Sequence, residues 1–330
     1  MIKRYPGWKA IREWSIAFGT TLRIAGGRRP ITLPPADPAL RARAAELQSH
    51  VVWLAQRIGE RHVPGRPQAL AATAQYIQTQ LAAAGYRVEP QVYHVAGHAC
   101  QNLVVQQQGC QRPEEIVVVG AHYDSVPGSP AANDNASGVA ALLNLANELR
   151  GVPHDRTLRL VAFVNEEAPY GLTEQMGSWV YAHACRQRNE RITGMLCLET
   201  IGCYSDRPGS QRYPPRLGWL FPSRANFIAL IANTRSASLV RRVVRDFRAH
   251  ENFPCQGVAL PESVSDITRS DHWSFWQHGY PALMVTDTAP FRYPFYHTPQ
   301  DTPDRIDYER TARVVRGLGH ALRKLLSVAS

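Results

Sequence analysis

Residues that could bind metal ions occur in five short segments spread over positions 122 to 297. The segments are His122-Tyr123-Asp124, Asn133-Asp134-Asn135, Asn165-Glu166-Glu167, Glu199 and Tyr296-His297. Together they supply two histidines and several carboxylates but no cysteine. Imidazole and carboxylate ligands suit a catalytic zinc site, whereas structural zinc sites are usually rich in cysteine. The sequence therefore predicts a catalytic pair of metal ions, with zinc as the first expectation.

The types and spacing of the first three segments suggest separate roles. His122 would be a ligand, and Asp124 could accept a hydrogen bond from its second ring nitrogen. Asp134 precedes a predicted helix, so it could either cap that helix or bridge two metals. Glu166 and Glu167 are neighbours, and neighbouring side chains of an extended chain point in opposite directions. One could therefore bind metal while the other faces a metal-bound water as a general base, unless both belong to a solvated turn.

The other candidates lie in the second half of the chain. Glu199 closes an apolar stretch, where an acid is either a ligand or the partner of a basic residue. His297 is a predicted ligand, and Asp301 or Asp304 could accept a hydrogen bond from its second nitrogen. Asp271 is expected to shape the pocket or to support the ligands from behind.

The elements that must position these residues alternate between helix and strand signals. Apolar runs predict strands at residues 87–95, 102–106, 116–121, 158–164, 195–199 and 281–286. Helical periodicity predicts helices at residues 40–59, 67–84, 137–150, 173–188, 236–249, 271–278 and 307–327. This order predicts an α/β fold with three α/β/α layers around a mixed, mostly parallel sheet. Because sites in such sheets lie beyond the carboxyl ends of strands, the candidate ligands should meet at one edge.

The predicted domain organisation is a basic extension with a proline-rich linker over residues 1–40, followed by a single catalytic domain over residues 41–330 that contains the candidate metal ligands. The formal net charge of the 330-residue chain is +10. The first 29 residues contain only one acid, Glu13, against seven basic residues, Lys3, Arg4, Lys9, Arg12, Arg23, Arg28 and Arg29. No nucleic-acid-binding motif accompanies this charge, so no nucleic-acid partner is expected.

The stretch at residues 14–25 is mildly apolar and follows a basic start. It could be a poor export signal or an amphipathic helix in weak contact with a membrane surface through residues 1–29. The chain has no run of 18 apolar residues, so no strong transmembrane helix is encoded. The sequence leaves the compartment open between cytoplasmic and exported or membrane-associated.

Six sequence blocks resemble the co-catalytic di-zinc aminopeptidases, the bacterial leucyl-aminopeptidase-like metallopeptidases. Their superfamily also includes glutamate carboxypeptidase, transferrin receptor and glutaminyl cyclase. The resemblance covers about residues 45–325. The matching blocks are Gly-Ala-His-Tyr-Asp-Ser, Ala-Asn-Asp-Asn-Ala-Ser-Gly, Phe-Val-Asn-Glu-Glu, Leu-Glu-Thr-Ile-Gly, Ser-Asp-His and Tyr-His-Thr-Pro-Gln-Asp-Thr.

This resemblance implies a zinc exopeptidase-like fold and a role for each residue. His122 and Glu199 would hold one Zn²⁺, Glu167 and His297 would hold the other, and Asp134 would bridge the pair. Glu166 would be the general base that takes a proton from the metal-bridging water, and Tyr296 would steady the oxyanion. Many members carry Asp where Glu199 stands, so the binding mode of Glu199 is the least defined.

The implied activity is hydrolysis of the N-terminal bond of peptide substrates. A glutaminyl cyclase with one zinc is an alternative, but those enzymes commonly have Trp where Tyr296 stands and Asp where Glu199 stands. Non-enzymatic receptor-like relatives tend to lose ligands that are present here. A carboxypeptidase of the superfamily is a further alternative, with Arg269 or Arg292 as the basic residue of its pocket. The aromatic residues near His297 favour an apolar N-terminal residue and are Phe291, Tyr293 and Phe295.

Overall fold

A computed structural model of the chain describes residues 8–26, 32–214 and 218–328. Of the seven N-terminal basic residues, Lys3, Arg4, Arg28 and Arg29 lie outside these ranges, as do the side chains of Lys9 and Arg12. The predicted contact of residues 1–29 with a membrane surface therefore falls partly outside the described residues.

Strands and helices alternate through the described chain. The strands are β1 (Glu89–Val95), β2 (His98–Gln107), β3 (Arg112–His122), β4 (Arg156–Phe163), β5 (Arg191–Glu199), β6 (Ile228–Asn233), β7 (Cys255–Leu260) and β8 (Ala282–Thr286). The helices are α1 (Trp8–Ile24), α2 (Pro38–Val51), α3 (Pro67–Ala83), α4 (Gly138–Leu149), α5 (Gly177–Gln187), α6 (Ala237–His250), α7 (His272–Gln277), α8 (Ala289–Arg292) and α9 (Tyr308–Leu326). Two π-helical segments, Val52–Ile58 and Ala132–Ser137, follow α2 and precede α4.

Within the described ranges, the strands form one sheet in the order β1-β2-β4-β3-β5-β8-β6-β7. Strands β4, β3, β5 and β8 are parallel neighbours, and β6 pairs with β7 in parallel. Strands β1 and β2 are antiparallel to each other, β2 is antiparallel to β4, and β6 is antiparallel to β8. The predicted mixed, mostly parallel sheet is therefore confirmed.

Successive residues of β3 divide the interior into two cores because their side chains point to opposite faces of the sheet. Val117 and Val119 pack with apolar residues of α2, α3, α4, α6 and α9. Ile116 and Val118 pack with apolar residues of α5 and α7 on the other face. The chain thus has the three α/β/α layers that the sequence predicts.

Two strands and one helix break differ from the sequence predictions. Strands β6 and β7 were not predicted, because the Ala and Leu residues of β6 favour a helix at least as much as a strand and Gln256 and Gly257 interrupt the apolar run of β7. The predicted helix at residues 40–59 consists of α2 and the π-helical segment Val52–Ile58. Hydrophobic spacing does not distinguish a π turn from an α turn over so short a stretch.

Helix α1 packs against the edge strand β7 and against α6. The hydroxyl of Thr21 lies 3.3 Å from both the backbone oxygen and the backbone nitrogen of Ala259 in β7. Arg248 of α6 donates a hydrogen bond to the backbone oxygen of Ile24. The domain boundary at residue 41 stays a prediction. Helix α1 precedes that boundary, and it nevertheless packs against strand β7 of the sheet. None of the helices in the described ranges is both long and apolar enough to cross a bilayer.

Candidate metal centre

Three parallel strands end side by side and carry most of the candidate ligands. His122 is the last residue of β3 and pairs with Phe163, the last residue of β4. Glu199 is the last residue of β5, on the other side of β3. Glu166 and Glu167 lie three and four residues beyond the end of β4. Parallel pairing brings these strand ends to one edge of the sheet, as the sequence predicts.

The other two candidates come from segments that fold over this edge. Asp134 lies in the π-helical segment before α4, and His297 lies in the loop after α8. The α4 segment can approach the strand ends because Gly138 lacks a side chain. A Cβ at Gly138 would lie 2.4 Å from the amide oxygen of Asn135 and 2.6 Å from the backbone oxygen of Leu198.

The two carboxylate oxygens of Asp134 face two different sets of side chains. Its Oδ1 lies 3.2 Å from Nε2 of His122, which in turn lies 3.2 Å from Oε2 of Glu199. Its Oδ2 lies 2.9 Å from Nε2 of His297, which lies 3.5 Å from Oε1 of Glu167. The structure thus brings all five predicted ligands together, in two groups that share Asp134.

Several atoms at the centre of this cluster are buried without a hydrogen-bond partner among the described residues. They include Nε2 of His122, Oδ1 of Asp134 and Oε1 of Glu167. Native proteins rarely leave buried polar atoms unpaired, so each such atom needs an explanation. Imidazole nitrogens and carboxylate oxygens that converge in this way fit cations between them.

The electrostatics of the cluster also favour bound cations. Burial and the nearby charge of Asp134 raise the pKa of Glu167 to about 8. Burial also raises the pKa of Glu199, and Asp134 raises it further. Burial would lower the pKa of His297, but its contacts with Asp134 and Glu167 raise that pKa to about 10. The pKa values of Glu167 and Glu199 thus rise because these carboxylates are buried and lie close to the charge of Asp134, and divalent cations could neutralise the same charge.

Glu166 lies at the edge of the cluster, where its carboxylate also converges with His122 and Glu167. Its Oε2 is 3.9 Å from Nε2 of His122, and its side chain retains 14% exposure. Burial raises the pKa of Glu166 well above its usual range, although the neighbouring His122 opposes that shift. A carboxylate in this position can reach a molecule bound at the ligand groups and also remains open to the pocket.

Asp124 holds the backbone of the two glutamates. Its Oδ1 accepts a hydrogen bond of 3.2 Å from the backbone N–H of Glu166, and its Oδ2 accepts one of 3.1 Å from that of Glu167. The distance from its Oδ1 to Nδ1 of His122 is 3.6 Å, longer than a hydrogen bond. Asp124 therefore fixes the glutamate turn more directly than it fixes the ring of His122.

Residues at the start of α7 support Glu199. The hydroxyl of Ser270 donates a 2.7 Å hydrogen bond to Oε2 of Glu199, an interaction that the sequence analysis missed. The signal that could have revealed it is the Ser-Asp-His block itself, in which Ser270 directly precedes Asp271 and His272. Asp271 is fully buried, and burial raises its pKa to about 7, against the effect of His122. Neither carboxylate oxygen of Asp271 has a hydrogen-bond partner among the described residues, so its supporting role stays a prediction.

Tyr296 stacks on the ligand candidate that follows it. The ring centroids of Tyr296 and His297 are 3.8 Å apart, with 21° between the planes. Burial raises the pKa of the Tyr296 hydroxyl, and the negative charges of Asp134 and Glu199 raise it further. The hydroxyl therefore keeps its proton at neutral pH and can donate a hydrogen bond.

Asp301 positions the segment that carries Asp134. Its two oxygens accept hydrogen bonds of 2.8 Å and 3.1 Å from the backbone N–H groups of Asn133 and Asp134. Oδ1 also accepts a 2.8 Å hydrogen bond from the hydroxyl of Tyr293. The sequence analysis proposed Asp301 or Asp304 as an acceptor for His297. The structure instead gives Asp301 backbone partners and pairs Asp304 with the hydroxyl of Thr302.

Residues in left-handed backbone conformations occur in three of the site segments. The φ angles are +60° at Asn165, +45° at Thr200 and +58° at His297. Side chains other than glycine adopt such angles at an energetic cost, and they do so mostly where function requires it. At these positions the backbone turns immediately before Glu166, immediately after Glu199 and at His297 itself.

Arg61 is a buried residue of the site region that sequence reasoning did not identify. Its side chain is 0% exposed and donates hydrogen bonds to backbone oxygens on both sides of the site. The acceptors and distances are Tyr123 at 2.6 Å, Gly59 at 2.8 Å, Pro130 at 2.9 Å, Ala131 at 3.1 Å and Leu54 at 3.3 Å. It therefore ties the π-helical segment after α2 to the loop between His122 and Asp134. No motif surrounds Arg61 in the sequence, so only its three-dimensional partners reveal this role.

Replacing Arg61 with methionine should lower the free energy of unfolding by at least about 3 kcal/mol. Each buried carbonyl left without a donor costs about 1–3 kcal/mol, and Arg61 is bonded to several. Urea unfolding followed by circular dichroism measures the change. Arg87→Met is the control, because the side chain of Arg87 is 90% exposed. Equal midpoints for the two variants would show that the Arg61 hydrogen bonds contribute little.

Comparison with known proteins identifies a protein family and several relatives that this chain resembles. The sequence profile of Peptidase family M28 matches residues 102–322. The chain is 36% identical over 282 residues to the uncharacterized protein YfbL of Escherichia coli strain K12, covering 83% of this chain and 85% of YfbL. It is 30% identical over 225 residues to aminopeptidase YwaD of Bacillus subtilis strain 168, covering 64% of this chain and 41% of YwaD. The matched region is thus less than half of YwaD.

Solved structures share the fold at low sequence identity. BSAP, a zinc aminopeptidase from Bacillus subtilis, has a TM-score of 0.67 at 16% identity, covering 87% of this chain and 95% of that chain. A glutaminyl cyclase from Fimbriiglobus ruber has a TM-score of 0.61 at 19% identity, covering 92% and 100%. These similarities establish a common fold, and they do not distinguish between the two activities.

Proposed function

Because this chain belongs to peptidase family M28, we propose that it is a zinc-dependent aminopeptidase that hydrolyses the N-terminal bond of peptides. The aminopeptidase name of a relative at 30% identity supports this choice. The observation that carries the proposal is the position of Asp134, whose two oxygens face His122 and Glu199 on one side and His297 and Glu167 on the other.

The donor set fits two zinc ions. His122 and Glu199 would hold one ion, Glu167 and His297 the other, and Asp134 would be shared. Each group offers nitrogen and oxygen donors and no sulfur, as catalytic zinc sites commonly do. When bound, the pair would act as a Lewis acid and lower the pKa of the attacking water.

Glu166 would be the general base of the reaction. Its carboxylate would take a proton from the attacking water and later deliver that proton to the leaving amine. The hydrogen bond from its backbone N–H to Asp124 keeps the carboxylate beside the ligand groups. Tyr296, with its hydroxyl protonated, would donate a hydrogen bond to the oxygen that becomes negatively charged as the bond breaks.

The cavities beside Glu199 and Tyr296 support an apolar N-terminal residue in the substrate. One cavity touches both of these residues, and it shares Ile231, Asp266, Thr288 and Phe291 with a second, mostly apolar cavity. The second cavity is lined mainly by aromatic and aliphatic side chains, which include Phe221, Phe227, Val258 and Leu260. A leucine or phenylalanine side chain would gain from burial there, whereas an acidic one would be desolvated without a cationic partner.

The alternative of a carboxypeptidase has little support in the pocket. The guanidinium of Arg292 is engaged by Gln211 and by the backbone oxygen of Phe227, at 2.7 Å and 2.8 Å. Arg269 forms a 3.1 Å ion pair with Asp266. Arg269 lines the cavity that touches Glu199 and Tyr296, but its charge there is already paired with that of Asp266. The glutaminyl cyclase alternative conflicts with Tyr296 and Glu199, where those enzymes commonly have Trp and Asp.

We expect the purified chain to contain two zinc ions and to release p-nitroaniline from leucine p-nitroanilide, and we expect chelation to remove both properties. Zinc content by mass spectrometry and initial rates, measured on one preparation before and after phenanthroline, test this directly. Readdition of zinc should restore the rate. The N-acetylated substrate is the matched control, because an aminopeptidase requires a free N-terminus.

Each other outcome has a defined meaning. Equal rates with the free and acetylated substrates would exclude an exopeptidase that acts from the N-terminus. Release that survives complete removal of metal would exclude a metallopeptidase. One zinc ion, no release and cyclisation of peptides with N-terminal glutamine would replace the proposal with the cyclase alternative.

A further inference from the structure

Among the side chains of α1 that the structure describes, from Glu13 to Ile24, Ile24 is the one large apolar side chain that is buried. The other buried residues of this range are small or polar and are Ala17, Thr20 and Thr21. They face β7 and α6, where Thr21 contacts the backbone of Ala259. A helix on the surface of a globular protein normally turns its large apolar residues towards the core. The orientation of α1 is the reverse.

The large apolar side chains of α1 lie on its solvent side. Trp14 is 47% exposed, Phe18 is 52% exposed and Leu22 is 49% exposed. The spacing of four residues places them one above another on a single face of the helix. Ile16 is also 39% exposed, but it lies two residues from both Trp14 and Phe18 and therefore on a different face of the helix. A contiguous apolar surface of this kind indicates a binding surface rather than scattered exposure.

The charge around this face is basic. Arg23 is an exposed residue of α1 itself, next to Leu22. Across the first 29 residues seven basic side chains accompany one acid, Glu13, and that acid is partly buried. Segments that contact α1 also carry the exposed Arg235, Arg241 and Arg245. The face therefore suits a binding partner that has an anionic surface and an apolar layer below that surface.

We propose that α1 binds the surface of an anionic phospholipid membrane. Trp14, Phe18 and Leu22 insert between the headgroups and the upper acyl chains, and the basic residues near them contact the lipid phosphates. Tryptophan, phenylalanine and leucine opposite basic residues are typical of helices that lie in the plane of the interface. Negative lipid attracts nearby Lys and Arg, so the charge sets the choice of lipid. This inference does not depend on the peptidase activity proposed above.

Flotation of the purified full-length chain with vesicles tests the proposal. Vesicles of phosphatidylcholine with phosphatidylglycerol should carry the protein, and vesicles of phosphatidylcholine alone should carry much less. The triple variant Trp14→Ser, Phe18→Ser, Leu22→Ser should lower the partition coefficient by more than about tenfold, because apolar area is lost from the contact. Its buried face is unchanged, and circular dichroism verifies that it remains folded.

A matched control removes the same kinds of side chain elsewhere. Trp53, Val92 and Leu172 are 43%, 55% and 46% exposed and lie outside α1. Their triple replacement by serine should leave vesicle binding unchanged. A second measurement uses Trp14→Phe, which should still bind but should show weaker quenching of tryptophan fluorescence by lipids with brominated acyl chains than the wild-type chain with its seven tryptophans.

Three results would overturn the proposal. The first is a wild-type chain that stays unbound with phosphatidylglycerol vesicles. The second is an α1 variant that floats as well as wild type, which would place the interaction in the basic residues alone. The third is a dimer that the α1 substitutions dissociate without any vesicle binding, which would make this face an interface between copies.

Discussion

Replacing Glu166 with glutamine should lower kcat for leucine p-nitroanilide by about 10²–10⁴-fold while zinc content stays at the wild-type level. Glutamine has nearly the same size and shape but cannot accept a proton from water, so the loss measures general-base catalysis. KM should change little, because the substitution leaves the ligand groups and the apolar cavity intact. Steady-state kinetics provide kcat and KM, and metal analysis of the same sample provides the zinc content.

The control for this variant is Glu174→Gln. Glu174 is an exposed glutamate in the same loop, eight residues later. Its replacement should leave both kcat and zinc content unchanged. A Glu166→Gln enzyme with the wild-type kcat would contradict the assignment of the base. A Glu166→Gln enzyme that has lost zinc would instead make Glu166 a ligand.

Replacing Asp134 with alanine should remove metal from both positions and abolish turnover. Asp134 supplies one oxygen to each group, so its loss deprives both of a charged donor. Loss of a residue that only supports a ligand through a hydrogen bond typically reduces metal affinity by about 10–100-fold, and loss of a shared ligand should exceed that. Titration of the metal-free protein with zinc measures the affinity of each position.

The matched control is Asp304→Ala, because the side chain of Asp304 is 70% exposed and lies in the same loop as His297. Its zinc affinity should equal that of wild type. Two fully occupied positions in the Asp134→Ala variant would remove the bridge from the proposed centre. Loss of zinc from only one position would mean that only the ion at that position depends on Asp134.

The parts of the fold that the sequence predicts are those with a local signal. Strands β3 and β5 are apolar runs that end at His122 and Glu199, and Glu166 lies three residues beyond the end of β4, so strand direction brings these residues to one edge. Strand β6 escaped prediction because Ala229, Leu230 and Ala232 favour a helix at least as much as a strand. Strand β7 escaped prediction because Gln256 and Gly257 interrupt its apolar run.

The supporting contacts of the site could not be predicted for a different reason. Arg61 and Ala131 are 70 residues apart, and Asn133 and Asp301 are 168 residues apart, yet each pair is joined by a hydrogen bond. Nothing in the local sequence of Arg61 or Asp301 specifies such a distant partner. The candidate ligands were visible because their type is unusual at a strand end. The residues that hold them in place are of ordinary type and act through backbone groups.

The contact of Asp301 with the backbone of Asn133 and Asp134 joins two segments that each bring a candidate ligand. Asp301 follows His297 by four residues, so the segments carrying Asp134 and His297 are held together by the chain itself. Conformational entropy that metal binding would otherwise have to remove is already lost when the protein folds. The centre is thus preorganised, and binding free energy from zinc is not consumed in ordering these two segments.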